Sequence, residues 1–160
     1  MHREGNQSKR EPCPMNRRQL LRVMGSSASA LFLVTALPRC GNPKGSPPTG
    51  PVNAGNVSSL KLGTLRILSG DVVVGHDSNG IYAMSAICTH AGCVLDDSSG
   101  TIAAGLTCPC HGSAFDGNGN VLQGPARSPL QHYQVTVASD GTITADGSQP
   151  VPAPTRTPAP

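Results

Sequence analysis

Two short segments that contain cysteine and histidine most constrain what this chain can fold into. They read CTHAGC at residues 88–93 and CPCHGS at residues 108–113, and they hold four of the six cysteines. Cysteines this close together either bind a metal or form disulfides. The chain around them is poor in large apolar side chains, since Tyr82, Phe115 and Tyr133 are the only aromatic residues after position 40. A domain of about 90 residues with so few aromatics is marginal on burial alone, so a covalent or metal cross-link is expected.

Short apolar runs separated by turn residues predict an all-β domain. The runs TLRIL, DVVVGH and GIYAMSAI lie before the first cysteine segment, and HYQVTV and TITAD lie after the second. The last two runs flank Ser139-Asp140-Gly141, which is typical of a hairpin turn. No stretch shows helical periodicity over three turns. We therefore predict β-strands with long loops in the middle of the domain.

The charge distribution argues against a nucleic-acid-binding surface. The formal net charge is +3, but seven of the twelve lysines and arginines lie in the first 40 residues. After that point there are five basic residues against seven acidic ones, which gives −2. A nucleic-acid interface needs basic residues clustered on the folded part of the chain, and this part lacks them.

The N-terminal segment resembles a twin-arginine export signal. Arg17 and Arg18 precede two leucines and then an apolar run. The run has about 14 residues, short of the roughly 20 that span a bilayer, so it is typical of a signal rather than of a membrane helix. An ordinary secretory signal is the alternative. Cys40 follows Leu-Pro-Arg, which resembles a lipoprotein box at its leucine only, so either Cys40 is lipidated or cleavage nearby leaves a free thiol.

The composition predicts flexible segments on both sides of the domain. Residues 41–56 are rich in glycine and proline, which is typical of a linker. Residues 149–160 form a proline-rich tail, which is expected to stay extended and solvated. The predicted organisation is an export signal at 1–40, the linker, a domain at 57–148 and the tail.

The cysteine segments pair as C-x-H-x-G-C and C-x-C-H-G-S, and on these motifs residues 57–147 resemble the Rieske iron–sulfur proteins. The resemblance implies an antiparallel β-sandwich base that carries a small cluster-binding subdomain of two loops, at residues 86–129. It also implies one [2Fe-2S] cluster with two cysteines on one iron and two histidines on the other. The implied ligands are Cys88, Cys108, His90 and His111.

The resemblance also gives roles to neighbouring residues. It implies that Cys93 and Cys110 form a disulfide between the two loops. Ser113 is expected to donate a hydrogen bond to a bridging sulfide, and Gly124-Pro125 is expected to form a loop that covers the third side of the cluster.

The donor set has a consequence for redox chemistry. Two ferric ions, two sulfides and two thiolates sum to zero charge, whereas four thiolates would give −2. An electron enters a neutral centre more easily than a dianion, so histidine ligation raises the reduction potential. A structural Cys2His2 zinc site is the alternative, but one residue separates Cys88 from His90 where zinc pairs normally have two or more. Such a site would also leave two cysteines without a role.

Two positions depart from the family pattern. Phe115 stands where high-potential members usually have tyrosine, so a hydrogen bond to a ligand sulfur is missing. Ala91 stands where quinol-oxidising members usually have leucine, which argues against respiratory quinol oxidation. His76 and His132 match no family ligand and are predicted to be surface or strand residues.

The sequence therefore predicts an exported one-electron carrier, either a small carrier or a subunit of a periplasmic redox chain. Its expected partners are a redox protein donor and acceptor, with a quinol or a c-type cytochrome as candidates, and no nucleic acid. It is expected in the periplasm or on the outer face of a bacterial membrane, either soluble or anchored by a lipid on Cys40. The alternatives are the Rieske subunit of a quinol-oxidising cytochrome bc-type complex, the ferredoxin of an oxygenase system, and a zinc-stabilised binding module.

Overall fold

The computed structural model describes residues 44–69, 71–97 and 100–159. Apart from a short 3-10 turn at Val57–Ser59, the regular secondary structure of these residues is all β, as predicted. Nine strands follow one another along the chain: β1 (Pro51–Asn56), β2 (Leu65–Leu68), β3 (Val72–Asp77), β4 (Gly80–Ser85), β5 (Leu106–Thr107), β6 (Ala114–Phe115), β7 (Val121–Gln123), β8 (His132–Val137) and β9 (Thr142–Val151).

Six of the strands form one antiparallel sheet in the order β1-β9-β8-β4-β3-β2. Two residue pairs join β4 to β8 in the middle of this sheet. Buried side chains from both halves belong to one core, for example Val74 and Ile81 from one half and Val135 and Ile143 from the other. The two halves therefore pack against each other as a sandwich base, as the resemblance implies.

A second core lies on the opposite face of β3 and β4, because successive side chains of a strand point to opposite faces. Val73, Tyr82 and Met84 bury this face. The same core contains side chains from the middle of the chain, which are Cys88, Cys93, Leu95, Leu106, Cys108 and Phe115. The three-stranded sheet β5-β6-β7 contributes two of them. The cysteine segments thus pack directly against the sandwich base.

The predicted C-terminal hairpin is confirmed. HYQVTV forms β8, and TITAD begins β9. The turn ends at Gly141, whose φ of 82° lies in the left-handed region that glycine adopts without strain. Its N–H donates to the carbonyl oxygen of Ala138 at 2.9 Å. The strand that follows continues to Val151, beyond the predicted TITAD.

The predicted linker at residues 41–56 is wrong in its second half. Pro51–Asn56 is a strand, paired antiparallel with β9 from Pro51↔Asp146 to Asn56↔Thr142. Its proline, glycine and asparagines have low β propensity, but an edge strand tolerates them because only one side must pair. The domain therefore begins before residue 57.

The predicted solvated tail is also wrong. Thr157 exchanges two backbone hydrogen bonds with Ile81, at 2.8 and 2.9 Å. Arg156 forms an ion pair with Asp77 at 2.7 Å, and its guanidinium carbon lies 3.9 Å from the ring centroid of Tyr82. The prolines correctly predicted a segment without helix. The contacts of the tail with the sheet come from Arg156 and Thr157, which lie between two prolines, and no periodic pattern in the sequence indicated them.

Among the residues that the structure describes, no helix is long and apolar enough to cross a membrane. The predicted export signal and Cys40 lie outside the described residues.

Candidate metal centre

Two loops of the same design, at residues 88–93 and 108–113, carry the predicted ligands. In each loop the N–H of the first residue donates to the carbonyl oxygen of the sixth at 2.8 Å. The N–H of the fifth residue donates back to the carbonyl oxygen of the first, at 3.0 and 2.9 Å. The fifth residues, Gly92 and Gly112, have φ values of 75° and 76°, which any side chain would strain. The motif glycines are therefore required by the shape of the loops.

The first residue of each loop is a buried free thiol. Cys88 and Cys108 are each 2% exposed. Burial raises the pKa of the Cys108 thiol, and the Cys88 sulfur beside it also raises that pKa, whereas hydrogen bonds from the backbone N–H groups of Cys110 and His111 lower it. Two thiols in contact, with N–H groups directed at one sulfur, fit a metal, since binding removes the protons and the N–H groups stabilise the thiolate.

The two predicted histidine ligands lie outside the core. His90 and His111 are both exposed, and their ring centroids are 4.8 Å apart with the ring planes at 88°. The two loops thus place a pair of thiols inside the protein and a pair of imidazoles at its surface. Soft thiolates and neutral imidazoles are donors that suit iron–sulfur clusters and zinc.

The predicted disulfide between the loops is confirmed. Cys93 and Cys110 are bonded, with their Cα atoms 6.5 Å apart. Their sulfur atoms and that of Cys108 lie within 4.8 Å of one another. These three sulfurs are not a ligand set, because a disulfide offers no thiolate, but their closeness places the cross-link directly beside Cys108.

A third loop, at residues 124–130, connects to the first loop. It starts with a cis peptide bond between Gly124 and Pro125, the pair that was expected to cover the cluster. The hydroxyl of Thr89 in the first loop donates to the carbonyl oxygen of Ser128 at 2.7 Å. The sequence did not indicate this bond, because its acceptor is a backbone carbonyl, which every residue carries.

The third loop also connects to the second loop through Ser113. This serine is fully buried, and its Oγ accepts the N–H of Ala126 at 3.0 Å. The hydroxyl proton therefore remains available to another acceptor, and donation to a sulfide stays a prediction. Phe115 is also fully buried, in the same core as Cys88 and Cys108. Its predicted effect on the reduction potential is untested.

Sequence reasoning missed the segment at residues 44–46, which we call the strap. Its first residue forms an antiparallel bridge with Cys93. The N–H of Gly45 donates to the carbonyl oxygen of Gly92 at 3.0 Å, and the next N–H donates to the Asp71 carboxylate at 3.1 Å. The strap is thus bound to the first loop. The glycine and proline content that indicated a linker gave no signal for it.

The other two histidines of the domain lie in strands, as predicted. His76 is half-buried in β3, with Nδ1 2.8 Å from the carbonyl oxygen of Leu60. His132 is 2% exposed in β8, and its Nε2 donates to the carbonyl oxygen of Asn118 at 2.9 Å. Its Nδ1 has no hydrogen-bond partner among the described residues. Burial lowers the pKa of His132 below the usual 6.5.

We expect acid to destabilise the fold partly through His132. As the pH falls below about 6.5, the unfolded chain binds a proton at this residue before the folded chain does, so stability decreases by at most about 1.4 kcal/mol per pH unit. The apparent melting temperature of the holoprotein should therefore fall between pH 7.5 and 5.5, and His132→Gln should reduce that fall. Wild type and variant are compared in the same series of buffers. Equal slopes for wild type and His132→Gln would contradict the prediction.

Comparison with known proteins agrees with this geometry. The family model for the Rieske [2Fe-2S] domain matches residues 51–134. The cytochrome b6-f complex iron-sulfur subunit of Synechococcus sp. (strain CC9605) is 41% identical over 78 residues, which cover 49% of this chain and 43% of that subunit. The same subunit of Prochlorococcus marinus (strain MIT 9211) is 43% identical over 78 residues, with the same coverage.

Among solved structures, the cyanobacterial plasma membrane Rieske protein of Synechocystis PCC 6803 is 32% identical. The match covers 59% of this chain and 97% of that one, with a TM-score of 0.47. The chain spans less than half the length of the curated relatives named above.

Proposed function

The chain belongs to the Rieske [2Fe-2S] domain family, and from this membership we propose that it is an exported one-electron carrier of a periplasmic redox chain. The bound [2Fe-2S] cluster supplies the uptake and release of one electron. We assign Cys88 and Cys108 as the ligands of one iron and His90 and His111 as the ligands of the other.

One observation carries this proposal: the paired imidazoles are exposed while the paired thiols are buried. The inner pair is shielded from water and from other thiols. The outer pair lies where a partner protein can contact it. An arrangement of this kind suits electron exchange between proteins, because the surface route passes through His90 and His111.

The loops around these ligands are held from three sides. The Cys93–Cys110 disulfide joins them to each other, the third loop bonds to both, and the strap bonds to the first. Loops held in this way change little in structure when the charge of the centre changes, which favours rapid electron exchange. These residues therefore support a carrier that works without a conformational step of its own.

The Rieske subunit of a quinol-oxidising complex is the second candidate. The curated relatives are named as subunits of cytochrome b6-f complexes, which favours it. Two observations argue against it. Ala91 provides a smaller apolar group than the leucine usual in quinol-oxidising members, and residues 44–46 and 51–56 of the predicted linker are bound to the domain.

The other two alternatives receive less support. The Cys93–Cys110 disulfide is compatible with either metal, but a Cys2His2 zinc module does not suit the single residue between Cys88 and His90, where zinc pairs normally have two or more. The same disulfide argues against the ferredoxin of an oxygenase system, whose members usually lack this cysteine pair. A persistent disulfide also fits the oxidising compartment that an export signal would lead to.

Export is proposed from the leader sequence. The paired Arg17 and Arg18 and the apolar run after them support a twin-arginine route to the periplasm or the outer face of a bacterial membrane, either as a free protein or anchored through Cys40.

Redox titration of the purified full-length protein tests the proposal. We expect a visible and electron-spin-resonance spectrum of the Rieske type and reversible uptake of one electron per chain. Fractionation of the source cells should find that spectrum in the exported fraction, and native electrophoresis of gently solubilised membranes should find a small species. Zinc in place of iron would refute the carrier, and comigration with a cytochrome b would favour the second candidate.

A further inference from the structure

We propose that Arg127 is the docking contact for a carboxylate on the acidic surface of the redox partner. The inference rests on the proposed function, since it concerns how a partner approaches the exposed His90.

Arg127 and His90 share one surface cleft. The cleft has a volume of about 340 Å³ and is lined by Thr89, His90, Pro125, Arg127 and Ser128. It lies between the first and third loops, and both residues are exposed. A partner group that enters the cleft therefore meets the arginine and the proposed iron ligand together.

The position of Arg127 is fixed although its side chain is not engaged. The Thr89–Ser128 hydrogen bond at 2.7 Å holds the third loop against the first, one residue after Arg127. No hydrogen bond or ion pair of the Arg127 side chain occurs among the described residues. Arg156, by contrast, is bound to Asp77 and Asn118. The Arg127 guanidinium is thus free to bind a partner.

The charge of the surrounding loops is positive. Residues 88–93, 108–113 and 124–130 contain Arg127 and no acidic residue. All seven acidic residues after position 40 lie outside these loops, namely Asp71, Asp77, Asp96, Asp97, Asp116, Asp140 and Asp146. The chain after position 40 thus has a formal charge of −2, whereas the three loops carry +1 from Arg127, which favours the approach of an acidic surface to these loops.

Arginine in this position specifies the partner group by geometry as well as charge. Its planar guanidinium can bind a carboxylate through two parallel hydrogen bonds. A side-chain carboxylate of aspartate or glutamate on a protein fits this open cleft, and its binding would bring the partner surface against His90.

Two inorganic oxidants of opposite charge test the inference without the natural partner. The reduced protein gives one electron to ferricyanide, forming ferrocyanide, or one electron to tris(phenanthroline)cobalt(III), forming the cobalt(II) complex. We expect Arg127→Glu to slow the reaction with the ferricyanide anion by about fivefold at low ionic strength and to speed the reaction with the cobalt cation. Both effects should shrink as salt is added.

Lys61→Glu is the matched control. It makes the same charge change on an exposed residue at the other end of the sandwich. Lys61 is placed there because the nearby Gly63 N–H donates to the backbone carbonyl oxygen of His76, near the end of β3. Since β4 (Gly80–Ser85) runs from that end towards the first loop, this variant should change both rates much less. Equal effects of the two variants would mean that only net charge matters and would overturn the inference.

Binding of fluorescently labelled poly-L-glutamate gives a readout without electron transfer. Anisotropy titration of the oxidised protein should show weaker binding for Arg127→Glu than for wild type and Lys61→Glu. Unchanged binding by Arg127→Glu would overturn the docking contact while leaving the carrier intact. If neither oxidant accepts an electron from any form of the protein, the carrier itself fails.

Discussion

Replacing His90 with alanine is expected to abolish the Rieske-type spectrum while the β fold persists. His90 is exposed and belongs to neither core, so its removal costs little packing. If it binds iron, however, its loss leaves an open coordination position at the protein surface, where water reaches the metal. We expect the purified variant to show no Rieske electron-spin-resonance signal and a β-type far-ultraviolet circular dichroism spectrum. His111→Ala should behave in the same way.

The histidine variants are sharper tests than the cysteine variants. Cys88 and Cys108 are buried in the core, so Cys108→Ala should also lose the cluster but could do so through a packing defect. His76→Ala is the matched control, because it removes an imidazole that contacts Leu60 and lies in β3, away from the loops. This variant should keep the full spectrum. A Rieske signal that survives His90→Ala would refute the ligand assignment.

Local sequence patterns and the two cysteine motifs together made most of the fold around the site predictable. Short β-branched runs with turn residues between them indicated the strands, because strand and turn preferences are local properties of the chain. The spacing within CTHAGC and CPCHGS carried more information still, since it identified the family and with it the Cys93–Cys110 disulfide. The glycines at the fifth positions are part of the same signal, because the loop shape requires a positive φ there.

The contacts that sequence reasoning missed are all long-range. The strap meets the first loop across 47 residues from Gly45 to Gly92, and Arg156 meets Asp77 across 79. Glycine and proline in the linker, and proline alone in the tail, predicted the absence of helix, which is correct. Composition cannot say whether an extended segment is solvated or pairs with a distant backbone, because that depends on which edges the rest of the fold leaves open. The same limit hid the cleft between His90 and Arg127.

The double variant Cys93→Ala/Cys110→Ala is expected to lose the cluster on mild heating while the β-sandwich remains folded. The disulfide joins residues 17 positions apart, and closing a loop of about this length is worth roughly 3 kcal/mol in the chain-entropy model. Without it, the segments next to the loops still pair through the Asp96–Thr107 hydrogen bonds at 2.8 and 3.0 Å, and Cys88 and Cys108 still pack in one core. The core between the sandwich halves contains neither cysteine, so it should not depend on the bridge.

The measurement is the half-life of the visible cluster absorption at a temperature below the unfolding transition of the sandwich. If the full 3 kcal/mol or so opposes separation of the loops, the half-life should shorten by about a hundredfold, and by less if the third loop holds them together. Cys93→Ser/Cys110→Ser separates the cross-link from packing, because serine fills nearly the volume of each sulfur-bearing side chain. Both double variants should lose the cluster at similar rates if the covalent bond is what matters. An unchanged half-life in both would show that the third loop and the strap suffice to hold the two loops on one centre.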